Sequence, residues 1–280
     1  MPDKPYQRIA VASAFSPRFE QVLAEAKRVR DRLGAELNLI YVGEKDEGTT
    51  SRFTEALAAL DLPSDSLIHY HQGSPADAIL EAIRANAVEL IVAGALEKEV
   101  VLRPFLGNVA RRLVREAPCS VMLFTKPERE PKPMRRVVFF VPDYSAHAQS
   151  ALRFALQLAQ KEESENLYVI RVYTTFDAAR ATLRANQPEG ESAEQPPART
   201  LEEEEEALEE FIEAAVGDTD VPIEPRCIRG NTGFAASDFV QAVEADLLIV
   251  PIERGGETEQ LPAHIAWVTD VIPCNLWVIR

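Results

Sequence analysis

One succession of sequence features occurs twice along this chain of 280 residues. Gly73 is matched by Gly230, the apolar segment 89–92 by 246–249, and the Pro-Cys pair at 118–119 by the pair at 273–274. The first two matches have the same offset along the chain, and the third offset is two residues shorter. A repeat of about 140 residues is too long for a solenoid unit, so it indicates duplication of a whole domain.

Within each copy, short apolar segments alternate with amphipathic ones, a pattern typical of α/β domains. The first copy contains predicted strands at 8–12, 36–42, 67–71, 90–92 and 120–124, and predicted helices at 18–33, 51–60, 76–87 and 109–115. The alternation restarts with a strand at 137–141, a helix at 146–160 and a strand at 167–172. Because crossovers between parallel strands are right-handed, we predict two tandem doubly wound domains, each with a five-stranded parallel sheet.

The joint between the copies is rich in proline. Three prolines lie between residues 127 and 133 without an apolar partner, which is typical of a short, semi-stiff linker. We therefore predict a first domain at 1–126, a linker at 127–134 and a second domain at 135–280.

The second copy also contains a stretch of low complexity. Residues 186–199 hold no apolar residue beyond alanine, so we predict a mobile surface loop. A helix is predicted directly after it, because Thr200 and Glu203 have the spacing of a capping box. The acidic run 202–206 lies in the first turns, and we interpret it as a solvent-exposed helix face rather than an ion-binding site.

The charge and composition exclude several classes of protein. A net charge of −15 repels nucleic acid phosphates and anionic lipid headgroups, so we expect neither as a partner. The sequence has no apolar run of about 20 residues and no signal-like stretch behind residues 1–5, so we expect a soluble, cytoplasmic protein without membrane insertion. Three cysteines without CxxC pairing indicate free thiols in a reducing compartment.

Three segments of the first copy carry a resemblance to a known family. Gly94 follows the apolar segment 90–93, Gly107 and Asn108 come after a spacer, and residues 117–121 read Ala-Pro-Cys-Ser-Val. This succession resembles the universal stress protein family, whose fourth strand leads into glycines, a Gly-Ser or Gly-Thr pair and a Pro-Cys or Pro-Val pair before strand five. The resemblance spans nearly the whole chain and implies the fold of adenine nucleotide alpha hydrolase-like domains.

The resemblance further implies a candidate nucleotide or ligand site. Its residues are Gly94, Gly107, Asn108, Val42 and Asp143. In family members that bind ATP, the glycines let backbone amides approach the phosphates, and the hydroxyl adds a donor at a helix N-terminus.

The first copy departs from the family's nucleotide-binding pattern at three positions. Glu97 replaces the second glycine, Asn108 replaces the hydroxyl, and Ala14 replaces the Asp that ends the first strand. A carboxylate at residue 97 places negative charge beside a triphosphate, so the motif is degenerate as a phosphate site.

The second copy departs in a different way. Asp143 matches the family's Asp, but Pro251, Arg254 and Pro262 stand at or near the three glycine positions. Because proline has no N–H to offer a phosphate, we expect this copy to be the weaker candidate for ATP.

We interpret the remaining candidate catalytic and metal-binding residues as structural. Asp143, Ser145 and His147 have the composition of a hydrolytic set, but their spacing at a strand end and helix start does not bring them together. His69 and His71 share a strand face without a third ligand, so a structural or solvent-facing pair is expected. Cys119 and Cys274 follow prolines at strand starts, where a small buried side chain is expected.

These features lead to the following functional expectations. The favoured hypothesis is a non-catalytic stress-response protein that binds a small ligand or a protein partner, with no cofactor required. The first alternative is a nucleotide-binding sensor that uses ATP in the first domain, and the second is a soluble regulator of a membrane transporter. We expect the fifth strands, 121–123 and 276–278, to pair and form an intramolecular version of the family's dimer, and the whole chain to be capable of homodimerising.

Overall fold

The computed structural model describes residues 5–95, 106–185, 199–253, 261, 265–269 and 274–280. Glu97, Arg254 and Pro262 lie outside the described residues, as does nearly all of the loop predicted at 186–199.

The first half of the chain alternates strands and helices, as its apolar periodicity predicts. Its elements are β1 (Arg8–Ser13), α1 (Phe19–Leu33), β2 (Glu36–Val42), α2 (Glu47–Ala59), β3 (Ile68–His71), α3 (Pro75–Ala85), β4 (Leu90–Gly94), α4 (Asn108–Glu116) and β5 (Ser120–Phe124). Helix α2 begins earlier than predicted, because the Asp46 carboxylate accepts a hydrogen bond from the N–H of Thr49 at 2.6 Å and so caps the helix.

The second half follows the same order with one addition. Its elements are β6 (Arg136–Phe140), α5 (Ala146–Lys161), β7 (Asn166–Tyr173), α6 (Thr175–Ala185), α7 (Leu201–Glu213), β8 (Ile223–Arg229), α8 (Thr232–Ala242), β9 (Leu247–Pro251), a 3-10 turn (Ala266–Thr269) and β10 (Asn275–Ile279). Helix α6 has no counterpart among the predicted elements. A Thr-x-x-Asp capping pattern at 174–177 is the sequence signal for it.

All the strands named above form a single sheet in the order β3-β2-β1-β4-β5-β10-β9-β6-β7-β8. The strands run parallel within each half, and β5 and β10 pair antiparallel, with Met122 opposite Trp277. The predicted pairing of the fifth strands is confirmed. Each half therefore has the doubly wound five-stranded order 3-2-1-4-5, and the two halves are related as the partners of an intramolecular dimer.

Helices cover the sheet on both faces. One apolar layer lies under α1, α2, α5 and α7, and the other lies under α3, α4 and α8. The seam between the halves belongs to both layers, because Val121 and Val278 face one layer while Met122 and Trp277 face the other. Continuous burial across the seam makes the two halves one hydrophobic unit.

A buried ion cluster joins the halves on one face of the sheet. Arg28 of α1 contacts Glu25 and Glu162 at 2.8 Å each, and its guanidinium also donates to the carbonyl of Lys132. Arg32 lies 3.3 Å from the second oxygen of Glu162. Since Glu162 follows α5, this cluster fixes the first helix of one half against the first helix of the other.

The start of α7 confirms one prediction and corrects another. The capping box of Thr200 and Glu203 is present with both of its hydrogen bonds. The interpretation of the acidic run as a solvent-exposed face is wrong for Glu204, which is buried and pairs with Arg171 at 2.7 Å. Its position in the first turn directs it towards β7, where a cation on the strand compensates its burial.

Candidate functional site

The candidate site residues of the first half lie at the carboxyl edge of the sheet or at the start of α4. Gly94 ends β4 and Val42 ends β2, on either side of β1 in the strand order. Gly107 is the N-cap of α4 and Asn108 its first residue, and no side chain in the described part of the chain caps this helix. This is the edge at which ligands of doubly wound folds bind.

Gly94 has a packing role in the structure. A Cβ built on Gly94 would lie 2.7 Å from Cγ2 of Val22, so only a glycine lets α1 pack this closely on β4. The next amide is also occupied, because the N–H of Ala95 donates to the carbonyl of Phe124 at 2.9 Å. Strand pairing with β5 thus continues one residue past Gly94.

Aromatic side chains crowd the same edge on the α1 and α2 face. Five rings contact one another here, with centroids of contacting pairs 4.8 to 6.3 Å apart: Phe15, Phe19, Tyr41, Phe53 and Tyr70. The guanidinium of Arg52 lies 3.8 Å from the centroid of the Phe15 ring. Sequence reasoning missed this cluster, since its members come from four separate elements and the loop after β1. It closes that face with protein side chains.

In the second half, Asp143 and its neighbours stabilise a helix start. The Asp143 carboxylate accepts a hydrogen bond from the N–H of Ser145 at 2.9 Å, and Ser145 Oγ caps α5 by accepting from Ala148. His147 Nε2 lies 3.3 Å from the carbonyl of Ile279. The three side chains have separate partners, as the sequence spacing predicted.

The strand registers refine the equivalence of Asp143. Ile9 lies opposite Leu90 as Val137 lies opposite Leu247, which makes Ile9 and Val137 equivalent. Counted from these two residues, Asp143 corresponds to Phe15 and not to Ala14. Asp143 therefore lies one residue further along the chain from Val137 than Ala14 lies from Ile9.

Beside β6 and β9, the described residues at this edge contact one another. Pro251 ends β9, and the N–H of Ile252 donates to the carbonyl of Ile279 at 2.8 Å. The ring of Trp267 packs edge-on against Phe140, with centroids 5.6 Å apart. A Cβ on Gly233 would lie 3.0 Å from Cβ of Trp267, so the 3-10 turn is seated tightly on the start of α8.

The histidines and cysteines have structural surroundings. Burial lowers the pKa of His69, and the nearby His71 lowers it further. Within the described ranges, no cluster of three His, Cys, Asp or Glu side chains could hold a metal ion. Cys119 and Cys274 are buried as predicted, and burial raises the pKa of the half-buried Cys227 to about 11. All three are free thiols, and burial also raises the pKa of Cys274.

A cavity of about 560 Å³ lies at the carboxyl ends of β7 and β8, beside α6. Its walls include Tyr173, Ala181 and Leu201, and Arg229 and Thr175 are among its polar residues. Sequence reasoning did not identify this cavity, because it depends on α6.

Comparison with known proteins identifies the family. The sequence profile of the universal stress protein family matches residues 55–125 and 134–280. A universal stress protein of Thermus aquaticus, encoded beside a sulfhydrylase gene, is 39% identical over 69 residues, which is 25% of this chain and 50% of that protein. The chain thus spans about half the length of this curated relative.

Solved structures share the fold over the whole chain. A universal stress protein from Archaeoglobus fulgidus aligns with a TM-score of 0.59 and 15% identity, covering 98% of both chains. The cytoplasmic domain of a prokaryotic cation chloride cotransporter aligns with a TM-score of 0.51 and 11% identity, covering 98% of this chain and 95% of that one. In the described part of this chain, no helix has the length and apolar character needed to cross a bilayer. On its sequence profile and its fold, the chain belongs to the universal stress protein family.

Proposed function

We propose that this protein is a non-catalytic member of the stress response that acts in the cytoplasm by binding a small ligand or a protein partner. In this proposal the two halves replace the partners of a dimer, and neither half uses a bound nucleotide for catalysis. The ten-stranded sheet supplies a rigid support on which a binding site can lie at the carboxyl edge.

One observation carries the proposal: the backbone N–H groups that follow β4 and β9 donate hydrogen bonds within the protein. Ala95 donates to Phe124 in the first half, and Ile252 donates to Ile279 in the second. Because phosphates bind to proteins largely through backbone N–H groups, these two amides are not available to one. The packing of Val22 on Gly94 supplies a reason for that glycine without a nucleotide.

The proposal is tested by the nucleotide content and hydrolytic activity of the purified full chain. Adenine nucleotides are measured by ultraviolet absorbance and mass spectrometry of the supernatant after denaturation, and phosphate release is followed with Mg-ATP. We expect no stoichiometric nucleotide and no ATP hydrolysis. Copurified ATP or turnover of ATP would contradict the proposal.

A nucleotide sensor remains the first alternative, and one feature of α4 favours it. No side chain of the described residues caps the helix start at Asn108, so its first N–H groups are candidates for binding an anion. Binding of ATP that is lost in the full chain with Gly107→Pro, and kept with Gly217→Pro as a control, would support this alternative.

Regulation of a membrane transporter is the second alternative. The fold likeness to the cytoplasmic domain of a cation chloride cotransporter supports it at the level of architecture. Copurification of the tagged chain with a detergent-solubilised transporter, against a matched tag alone, would distinguish this role from a ligand-binding role.

A further inference from the structure

The cavity beside α6 has the size and position of a ligand site. Its volume of about 560 Å³ falls in the usual range for small-molecule sites. It opens at the carboxyl ends of β7 and β8, the edge at which parallel sheets bind ligands. Asp143 and Pro251, which mark the nucleotide positions of the family in this half, are not among its lining residues.

The cavity has an apolar wall that is held in place. The hydroxyl of Tyr173 donates to the carbonyl of Arg199 at 3.0 Å, which fixes the ring against the start of α7. Ala181 of α6 and Leu201 of α7 lie on the wall with it. Gly230 closes the strand ends with a φ of +153°, a conformation that glycine adopts most readily.

The carboxylates around the cavity already have partners. Asp177 Oδ2 accepts from the N–H and the hydroxyl of Thr174 at 2.8 and 2.7 Å. Glu203 Oε2 accepts from the N–H of Thr200 at 2.7 Å, and Glu204 pairs with Arg171. Their negative charges are therefore compensated by helix starts and by a cation.

Arg229 differs from these carboxylates. It lines the cavity at the end of β8, and within the described part of the chain its guanidinium has no ion-pair or hydrogen-bond partner. By contrast, Arg226 on the same strand pairs with Glu224. Arg229 is thus a cation on the lining of the cavity that no described carboxylate pairs with, next to an apolar wall.

We propose that the cavity beside α6 binds a small amphipathic anion, with its carboxylate, phosphate or sulfonate on Arg229 and its apolar body against Tyr173, Ala181 and Leu201. A guanidinium recognises such oxyanions through paired N–H donors. The inference rests on the proposed function, because it names the ligand class for a protein that acts by binding.

The test uses two fluorescent probes of nearly the same shape. The probe 8-anilinonaphthalene-1-sulfonate is anionic, and N-phenyl-1-naphthylamine is its neutral counterpart. Both are titrated into the full chain, into Arg229→Gln and into the matched control Arg226→Gln. The two substitutions remove the same charge from the same strand, but Arg226 does not line the cavity.

We expect one sulfonate probe per chain, bound about tenfold more weakly by Arg229→Gln and within about twofold of wild type by Arg226→Gln. The neutral probe should bind wild type and Arg229→Gln equally. Ala181→Phe, which fills the cavity, should weaken both probes. Shifts of the Gly230 and Thr175 amide resonances on adding the sulfonate probe should locate it.

Equal binding of the sulfonate probe by wild type and Arg229→Gln would overturn the inference, as would an equal loss in Arg226→Gln. Urea unfolding of each variant identifies a change caused by loss of the fold. ATP binding and hydrolysis, which test the proposed function, are measured separately. A failure of the proposed anion site can therefore be distinguished from a failure of the proposed function.

Discussion

Ser120 and Asn275 begin the two strands that join the halves, and each accepts a hydrogen bond from the backbone at the far end of the opposite strand. Ser120 Oγ accepts from the N–H of Arg280 at 3.0 Å, and Asn275 Oδ1 accepts from the N–H of Thr125 at 3.0 Å. The pair repeats one contact at both ends of the seam. It shows that the join between the halves is built with dimer-like symmetry.

Removing one of these contacts should destabilise the whole chain. We expect Asn275→Ala to lower the free energy of unfolding by about 1 to 2 kcal/mol, because the amide of Thr125 loses its acceptor in a partly buried place. Urea unfolding followed by circular dichroism measures it. The control is Asn166→Ala at the start of β7, where the side-chain amide donates to the Tyr168 hydroxyl of its own strand. An equal effect of the two changes would contradict the interpretation of the seam.

The buried pair of Glu204 and Arg171 should matter far more than its neighbours in the acidic run. We expect Glu204→Ala to cost about 3 kcal/mol, since it leaves a partly buried guanidinium without its carboxylate. Glu205→Ala, at an exposed position of the same helix, should change stability by less than about 0.5 kcal/mol. Thermal and urea unfolding of both variants measure these changes in stability. Similar stabilities would mean that Glu204 is solvated after all.

The ion cluster between α1 and α5 should give stability a pH dependence. Burial raises the pKa of Glu25 above its ordinary value of 4.5, and Arg28 offsets this in part. A carboxyl with a raised folded-state pKa stabilises the fold below its unfolded pKa, and that contribution is lost as pH rises through the folded value. The stability of wild type relative to Glu25→Gln should therefore fall as pH rises from about 4.5 to 7. A relative stability that rises over this range would show the reverse shift.

Gly94 should prove to be a packing residue. We expect Gly94→Ala to destabilise the chain by about 1 to 3 kcal/mol, because the new methyl overlaps Cγ2 of Val22. Combining it with Val22→Ala should recover part of the loss, so the double variant should cost less than the two single changes added together. Unfolding free energies of the three variants give the coupling. Simple additivity would show that the two residues do not interact.

The architecture follows from the sequence because its signals are local and occur twice. The apolar strands, the proline before each buried cysteine and the Thr200 capping box are each readable within a few residues. The pairing of β5 with β10 was also predictable, since an apolar edge strand needs a partner.

The details of the site could not be read in the same way. The aromatic cluster around Phe53, the contact of Val22 with Gly94 and the partner of Glu204 all join residues that are distant in sequence. Helix α6 is an exception, because a capping pattern at its start and an amphipathic segment both mark it in the sequence. A pattern within one element cannot indicate which side chain of another element will face it. The candidate positions at Gly94, Gly107, Asn108, Val42 and Asp143 therefore stay a prediction of a site.

The central claim of the proposed function is that the substitutions at the family's phosphate positions weaken the binding of ATP. Isothermal titration calorimetry with Mg-ATP tests it on the full wild-type chain and on the double variant Glu97→Gly with Asn108→Ser, in matched salt. We expect no micromolar binding by wild type and tighter binding by the double variant, by about tenfold or less, because a carboxylate near the phosphates has been removed. Micromolar binding of ATP by wild type, or no gain in the double variant, would contradict the claim.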